Sequence, residues 1–93
     1  MEEIKPDVYH AFLKYFPLAI EAVALHSQKA NEKHNPGQPV HWAKDKSKDH
    51  LGSAARHLLH AGEIDEEFDS LHDVSLAWRA MANLQTLLEK QNG

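Results

Sequence analysis

The stretch SLHDVSLAWRAMANLQTLLEK, from Ser70 to Lys90, predicts a long amphipathic helix and sets the fold class. Its polar residues recur at three- and four-residue steps, the spacing that places side chains on one helical face. This polar strip consists of His72, Ser75, Arg79, Asn83 and Thr86. The apolar remainder spans roughly 200°, about twice the arc that one core-facing stripe requires. We therefore expect the helix to pack on two sides within a homo-oligomer. The alternative is a central position in a monomer.

The helix before it, predicted between Ser47 and Gly62, divides into an apolar and a polar half. Ser47 is expected to cap its first amides, and Gly62 to end it in the left-handed conformation. The polar half consists of Asp49, His50, Ser53, Arg56, His57 and His60. Solvated helix faces are usually rich in Lys and Glu, whereas His, Arg and Ser suit ligand contacts. This pattern favours a ligand-binding face, and an inert solvated face is the alternative.

Prolines and glycines mark the other elements. A first helix is predicted from about Pro6 to Tyr15 and a second from Leu18 to Lys33, with a proline between them that ends the first. The sequence HNPGQP, residues 34–39, predicts a rigid loop. No period-2 alternation predicts a strand. The expected fold is an all-α bundle of about four helices, formed by residues 1–93 as a single domain.

Composition limits the possible functions. Apolar residues make up 42% and charged residues 26%, as in ordinary globular proteins. The net charge of −4 argues against a nucleic-acid partner. There is no apolar run near the roughly 18 residues that a membrane span requires, and no basic-then-apolar leader pattern at the N-terminus. Together with the absence of cysteine, this predicts a cytoplasmic protein with no membrane partner.

Two further segments contain candidate site residues. Glu63, Asp65 and Glu67 lie close together after the third predicted helix, and dense carboxylates can hold Mg²⁺; the alternative is a solvated linker. Trp42 lies in a predicted loop near Lys46, and an aromatic beside cations suits stacking on a nucleobase with phosphate nearby. Alternatively, Trp42 has a structural role and covers the helical bundle.

Several segments together resemble a known family. They are KHNPGQPVHWA (residues 33–43), KSKDH (46–50), RHL (56–58), His72 and AWRAMANLQ (77–85). Over Lys33–Glu89 the chain is similar to a small family of phage and prophage dATP/dGTP diphosphohydrolases. The resemblance implies a purine-nucleotide ligand and a phage origin, hence the host cytoplasm. With the polar strips it suggests these ligand-binding residues: Lys33, His34, Asn35, Trp42, Lys46, His50, Arg56, His57, His72 and Arg79.

Two functions follow from this resemblance. The first is an enzyme that cleaves a purine deoxynucleoside triphosphate to monophosphate and pyrophosphate, with Mg²⁺ held by Glu63, Asp65 or Glu67 and phosphates held by Arg56 and Arg79. No catalytic residue is assigned. The second is a non-catalytic sponge without a metal that sequesters a nucleotide-derived signal, linear or cyclic, of host antiviral defence. A virion or interaction protein is the third possibility.

Overall fold

The computed structural model describes residues 3–93, and these are mostly helical, which confirms the predicted fold class. A π-helical turn covers Tyr9–Leu13. Three α-helices and one hairpin follow it. In chain order they are α1 (Pro17–His34), α2 (His50–Leu58), β1 (Ile64–Asp65), β2 (Ser70–Leu71) and α3 (His72–Asn92).

The second predicted helix is confirmed as α1, within one residue at each end. The first is shorter than predicted and is wound as a π-helix: the Lys14 amide donates to the Tyr9 carbonyl, five residues back, at 2.9 Å. Pro17 explains the break, because a residue that precedes proline is pushed out of the α region. Phe16 accordingly has φ −127° and ψ 44°. Pro17 itself occupies the first turn of α1, where its missing amide costs nothing.

Helix α2 begins at His50, three residues after Ser47, the predicted cap. Asp49, not Ser47, caps it: the Asp49 carboxylate accepts a hydrogen bond from the Gly52 amide at 3.1 Å. Ser47 is engaged elsewhere, because its hydroxyl accepts from Arg79 at 2.9 Å. The helix ends at Leu58 and a turn leads to Gly62, whose φ of 84° confirms the predicted left-handed conformation.

The prediction of no strands is wrong. Strands β1 and β2 pair antiparallel, Ile64 with Leu71 and Asp65 with Ser70. Two-residue strands are too short to show alternation, so their formation depends on turn chemistry. The Asp65 carboxylate accepts from the Glu67 amide at 3.0 Å, and Asp69 takes a φ of 51°. The hairpin also delays α3 to His72, two residues after the predicted start at Ser70.

The interior of the described chain is polar. Helix α2 packs chiefly against α3, and α1 packs against α3 as well. Within residues 3–93 the buried apolar residues are Ala54 and Ala82. The buried polar residues are His26, Asn31, His50, Ser53, Asp65 and Ser75. The radius of gyration is 14.8 Å, against about 12 Å for a compact domain of this length. None of the described helices is long and apolar enough to cross a membrane.

Candidate functional site

A cleft of about 1000 Å³ lies between α1, the loop that connects α1 to α2, and the facing sides of α2 and α3. This volume is at the upper end of the range for small-molecule sites, about 300–1000 Å³. Ser75 and Arg79 from the polar strip of α3 line it. The polar half of α2 contributes His50, Ser53 and His57. The cleft is therefore lined by side chains that can contact a ligand.

One wall of the cleft is aromatic. The rings of Trp42 and Trp78 lie edge to face with centroids 5.6 Å apart, and the His50 ring is 6.1 Å from each. The Trp78 indole donates to the Ser27 hydroxyl at 2.8 Å, which fixes α3 to α1. The Lys44 ammonium lies 5.0 Å from the Trp42 ring centroid. Flat ring faces held in this way suit the stacking of a planar ligand.

Arg79 supplies a cation beside this wall. Its guanidinium donates to the Ser47 hydroxyl at 2.9 Å and lies 3.2 Å from Nδ1 of His50. None of the ion pairs among residues 3–93 includes it. Burial and the charge of Arg56 lower the pKa of Arg79 from its usual value. A partly buried cation without a carboxylate partner is costly, and it favours an anionic ligand.

Three buried polar atoms in the cleft have no hydrogen-bond partner among residues 3–93. They are Nδ1 of His26, Oδ1 of Asn31 and Oγ of Ser75. Such an atom costs about 1–3 kcal/mol when it stays unpaired. Burial lowers the pKa of His26, so its imidazole is neutral at pH 7 and offers one donor and one acceptor. These atoms therefore suit a ligand with several polar groups on its edge.

A cluster of two histidines and an aspartate lies at the end of the cleft. Nδ1 of His57 is 2.9 Å from Nδ1 of His72, and the latter is 3.8 Å from Oδ2 of Asp65. Burial, followed by the charge of His72, lowers the pKa of His57. His57 also lines the cleft. Among residues 3–93, this is the one group of His, Asp and Glu whose ligand atoms converge enough to hold a metal ion.

The structure brings most of the predicted ligand-binding residues together. The residues that line the cleft are His34, Asn35, Trp42, Lys46, His50, His57 and Arg79. His72 lies behind them in the histidine cluster. Lys33 is at the rim, where it pairs with Glu67. Arg56 is exposed, 3.9 Å from Asp49, and does not line the cleft.

The predicted Mg²⁺ carboxylates are not gathered at one point. Glu67 pairs with Lys33, and Glu63 lies 3.7 Å from His60. Asp65 alone joins the histidine cluster. Mg²⁺ prefers a shell of oxygen ligands, whereas the donors that do converge include two imidazole nitrogens. The residues present do not fit a Mg²⁺ site.

Sequence reasoning predicted His34 but missed the rest of the contribution of α1. His26 and Asn31 were not singled out, although Val23, His26, Ala30 and His34 follow helical spacing along one face of α1. That face forms the cleft wall opposite Trp78. The spacing was a usable signal, but it mixes apolar and polar residues and so resembles an ordinary core-facing stripe.

Fold and cleft together define a small helical protein with a cleft that is lined by aromatic and cationic side chains. The chain belongs to the family described as dATP/dGTP diphosphohydrolase, N-terminal, whose model matches residues 3–93. The match extends the resemblance seen in the sequence to α1 and the N-terminal turn. Comparisons with curated proteins and with solved structures give no match.

Proposed function

We propose that the cleft binds a purine deoxynucleoside triphosphate, dATP or dGTP, and that the bound nucleotide is hydrolysed to the monophosphate and pyrophosphate. The observation that carries the binding proposal is Arg79, a partly buried cation with no acidic partner among residues 3–93, beside two tryptophan rings. The family description supports the reaction. Water supplies the oxygen added to the α-phosphorus, and pyrophosphate leaves.

The base end of the site is proposed to lie at the aromatic wall. A purine presents two flat faces and an edge of ring nitrogens and exocyclic groups. Trp42 and Trp78 offer a stacking surface, and stacking on an aromatic side chain contributes about 1–3 kcal/mol per base. The unpaired atoms of His26, Asn31 and Ser75 offer partners for the purine edge.

The phosphate end is proposed to lie at Arg79. A guanidinium binds two phosphate oxygens at once, and the contact with Ser47 holds its plane in place. Lys46 also lines the cleft and adds positive charge at its edge. Charge that develops on the phosphate oxygens during hydrolysis is stabilised by such fixed donors.

Chromatography of nucleotide mixtures tests this proposal. The protein is incubated with dATP, dGTP, dCTP and a cyclic purine dinucleotide, with and without divalent metal ions, and products are separated from retained ligand. We expect retention of the purine triphosphates and formation of monophosphate and pyrophosphate. Retention of an intact nucleotide without turnover would support sequestration instead. Absence of purine binding in calorimetric titration would overturn the proposal.

Arg79 and Arg56 provide a matched pair of variants. Arg79→Lys replaces a two-oxygen contact with a point charge, and we expect it to weaken binding by about 1–3 kcal/mol. Arg56→Lys makes the same chemical change outside the cleft, and we expect affinity within about twofold of the unmodified chain because Arg56 is exposed beside Asp49. Equal losses in both variants would contradict the placement of the phosphates at Arg79.

A further inference from the structure

We propose that His57, Asp65 and His72 form a binding site for a divalent transition-metal ion of the zinc, cobalt or nickel type. The site lies at the end of the cleft, where α2 ends and α3 begins. Nothing in the family description assigns a metal to these residues. The binding of the metal does not depend on the nucleotide, whereas its use on a bound nucleotide rests on the proposed function.

The distances within the cluster suit one ion. Metal–imidazole bonds are about 2.1 Å long, so two nitrogens on one ion lie about 3.0 Å apart at right angles and about 3.4 Å apart in tetrahedral geometry. Nδ1 of His57 and Nδ1 of His72 are 2.9 Å apart. Ligand atoms of all three residues lie within 4.8 Å of one another, so a small movement of the carboxylate brings it into the same coordination sphere.

The fold holds the three ligands on separate but tightly linked elements. His57 is in the last turn of α2, His72 is the first residue of α3, and Asp65 lies on β1. Two contacts tie the end of α2 to the start of α3: the Gly62 amide donates to Asp73 at 2.7 Å, and the His72 amide donates to the Glu63 carbonyl at 2.9 Å. These contacts hold the two helix ends, and with them His57 and His72, close together before a metal binds.

The carboxylate of Asp65 is oriented as well. Its Oδ1 accepts from the Glu67 amide at 3.0 Å, and this leaves Oδ2 on the side of His72. Hydrogen bonds of this kind to a ligand carboxylate are typical of built metal sites, where they fix the geometry of the ligand. Asp65 and His72 are both largely shielded from solvent, with side-chain exposures of 12% and 18%.

The donor set selects the class of metal. Two imidazoles and one carboxylate favour borderline transition metals over Mg²⁺ and Ca²⁺, which prefer oxygen alone. Three protein ligands also leave positions open for water or for an oxygen of a ligand. Because His57 lines the cleft as well, these open positions are adjacent to the proposed nucleotide site.

Titration of the full chain with Co²⁺ and Zn²⁺, without nucleotide, tests the site. Co²⁺ gives visible absorption bands when imidazoles bind it, and Zn²⁺ binding is measured by calorimetry. We expect one ion per chain and no displacement of Co²⁺ by an equal concentration of Mg²⁺. Asp65→Asn and His72→Ala should each weaken Zn²⁺ binding by at least about 10- to 100-fold, the range for disturbing such sites.

His10→Ala is the matched control, because His10 is exposed and its ion pair within residues 3–93 is with Asp7. It should bind Zn²⁺ as the unmodified chain does. If His72→Ala does not fold, as judged by circular dichroism, Asp65→Asn keeps the shape of the side chain and decides the question. A simple hydrogen-bonded histidine pair predicts no stoichiometric metal binding, and that result would overturn the proposal. So would Zn²⁺ affinities that are equal in all variants.

These outcomes are separable from those for the nucleotide. A chain that binds Zn²⁺ at this cluster but retains no purine nucleotide supports the metal site and contradicts the proposed function. A chain that retains dATP but binds no transition metal supports the proposed nucleotide binding and contradicts the metal site.

Discussion

The interface between α2 and α3 and the outer surface of the helices have opposite compositions. Across the interface, His50, Ser53 and Ser75 are buried, and Arg79 reaches Ser47. On the outside, large apolar side chains face solvent in the isolated chain. Those of α3 include Leu84, Leu87 and Leu88, each 43–50% exposed. Ordinary globular domains show the reverse arrangement.

This inversion indicates that the polar interior and the apolar exterior have different roles. Buried polar groups contribute little net stability, and several remain unpaired, so their positions make sense if a ligand uses them. The exposed apolar faces of α3 are too continuous to be scattered surface residues, and such patches usually mark an interface. We therefore expect the polar interior to be the site and the apolar exterior to be covered by another copy of the chain.

The largest expected effect is on assembly. Leu84→Glu places a charge on the exposed apolar face of α3, where burial of an unpaired charge costs several kcal/mol. We expect the oligomer to dissociate or the chain to unfold, as measured by light scattering and circular dichroism. Gln91→Glu adds the same charge at an exposed polar position and should leave assembly intact. A folded monomer of the unmodified chain at micromolar concentration would contradict the prediction.

Trp78→Ala is expected to have the next largest effect. Trp78 joins α3 to α1 through Ser27 and forms the aromatic wall with Trp42. Because its side chain is partly buried, we expect the free energy of unfolding to fall by about 3 kcal/mol, the lower end for a large aromatic replaced by alanine. Denaturant unfolding measures the loss. Trp78→Phe keeps a ring and loses the hydrogen bond, so it should cost only about 1 kcal/mol.

Ser75→Ala should have a smaller effect with the opposite sign. The hydroxyl of Ser75 is buried and unpaired among residues 3–93, so its removal should raise the free energy of unfolding of the ligand-free chain by about 1 kcal/mol. Nucleotide affinity should fall in the same variant. Ser27→Ala is the comparison, because it removes an acceptor from Trp78 and should destabilise the chain by a similar amount. A loss of stability in both variants would indicate that Ser75 is structural.

The pH dependence of stability is expected to be the most gradual effect. Burial, the largest cause in each case, lowers the pKa of His26 and His50 below the ordinary value of 6.5. Between the lowered value and 6.5 the unfolded chain binds more protons than the folded chain, so stability rises with pH. The stability that the folded chain gains from keeping these two imidazoles neutral is therefore fully present above about pH 6.5 and is lost as the pH falls below it. Thermal melts at pH 7.5 and 5.5 measure this loss, and His26→Gln should reduce it.

Much of the local structure was predictable, because it depends on neighbouring residues. Pro17 and the helical spacing of apolar residues placed α1 within one residue at each end, and Gly62 has the predicted left-handed backbone. Errors occurred where two local signals competed. Ser47 and Asp49 are both good caps, and the choice between them depends on Arg79, 32 residues away in the chain, which engages Ser47.

The sequence also predicted seven of the residues that line the cleft. His50, His57 and Arg79 were visible in the helical spacing of polar residues, whereas His34, Asn35, Trp42 and Lys46 were inferred from the predicted loop and the family resemblance. The sequence did not predict that the polar strip of α3 and the polar half of α2 face each other across an interface. Nor did it separate Arg79, which reaches into the cleft, from Arg56, which does not. Both are arginines on polar faces, and only the packing of α2 against α3 distinguishes them.

The sequence by itself determined the helices, their two-sided character and the abundance of histidine, since these depend on residue type and on spacing within a turn or two of chain. The tertiary structure alone decided what stands opposite each face. Asp65 joins His57 and His72 because the hairpin of β1 and β2 reverses the chain between Asp65 and His72. Periodicity predicts the face of its own helix on which a side chain lies, but it carries no information about the residues that the side chain contacts. That information depends on contacts between residues far apart in the chain, which form only when the whole chain packs.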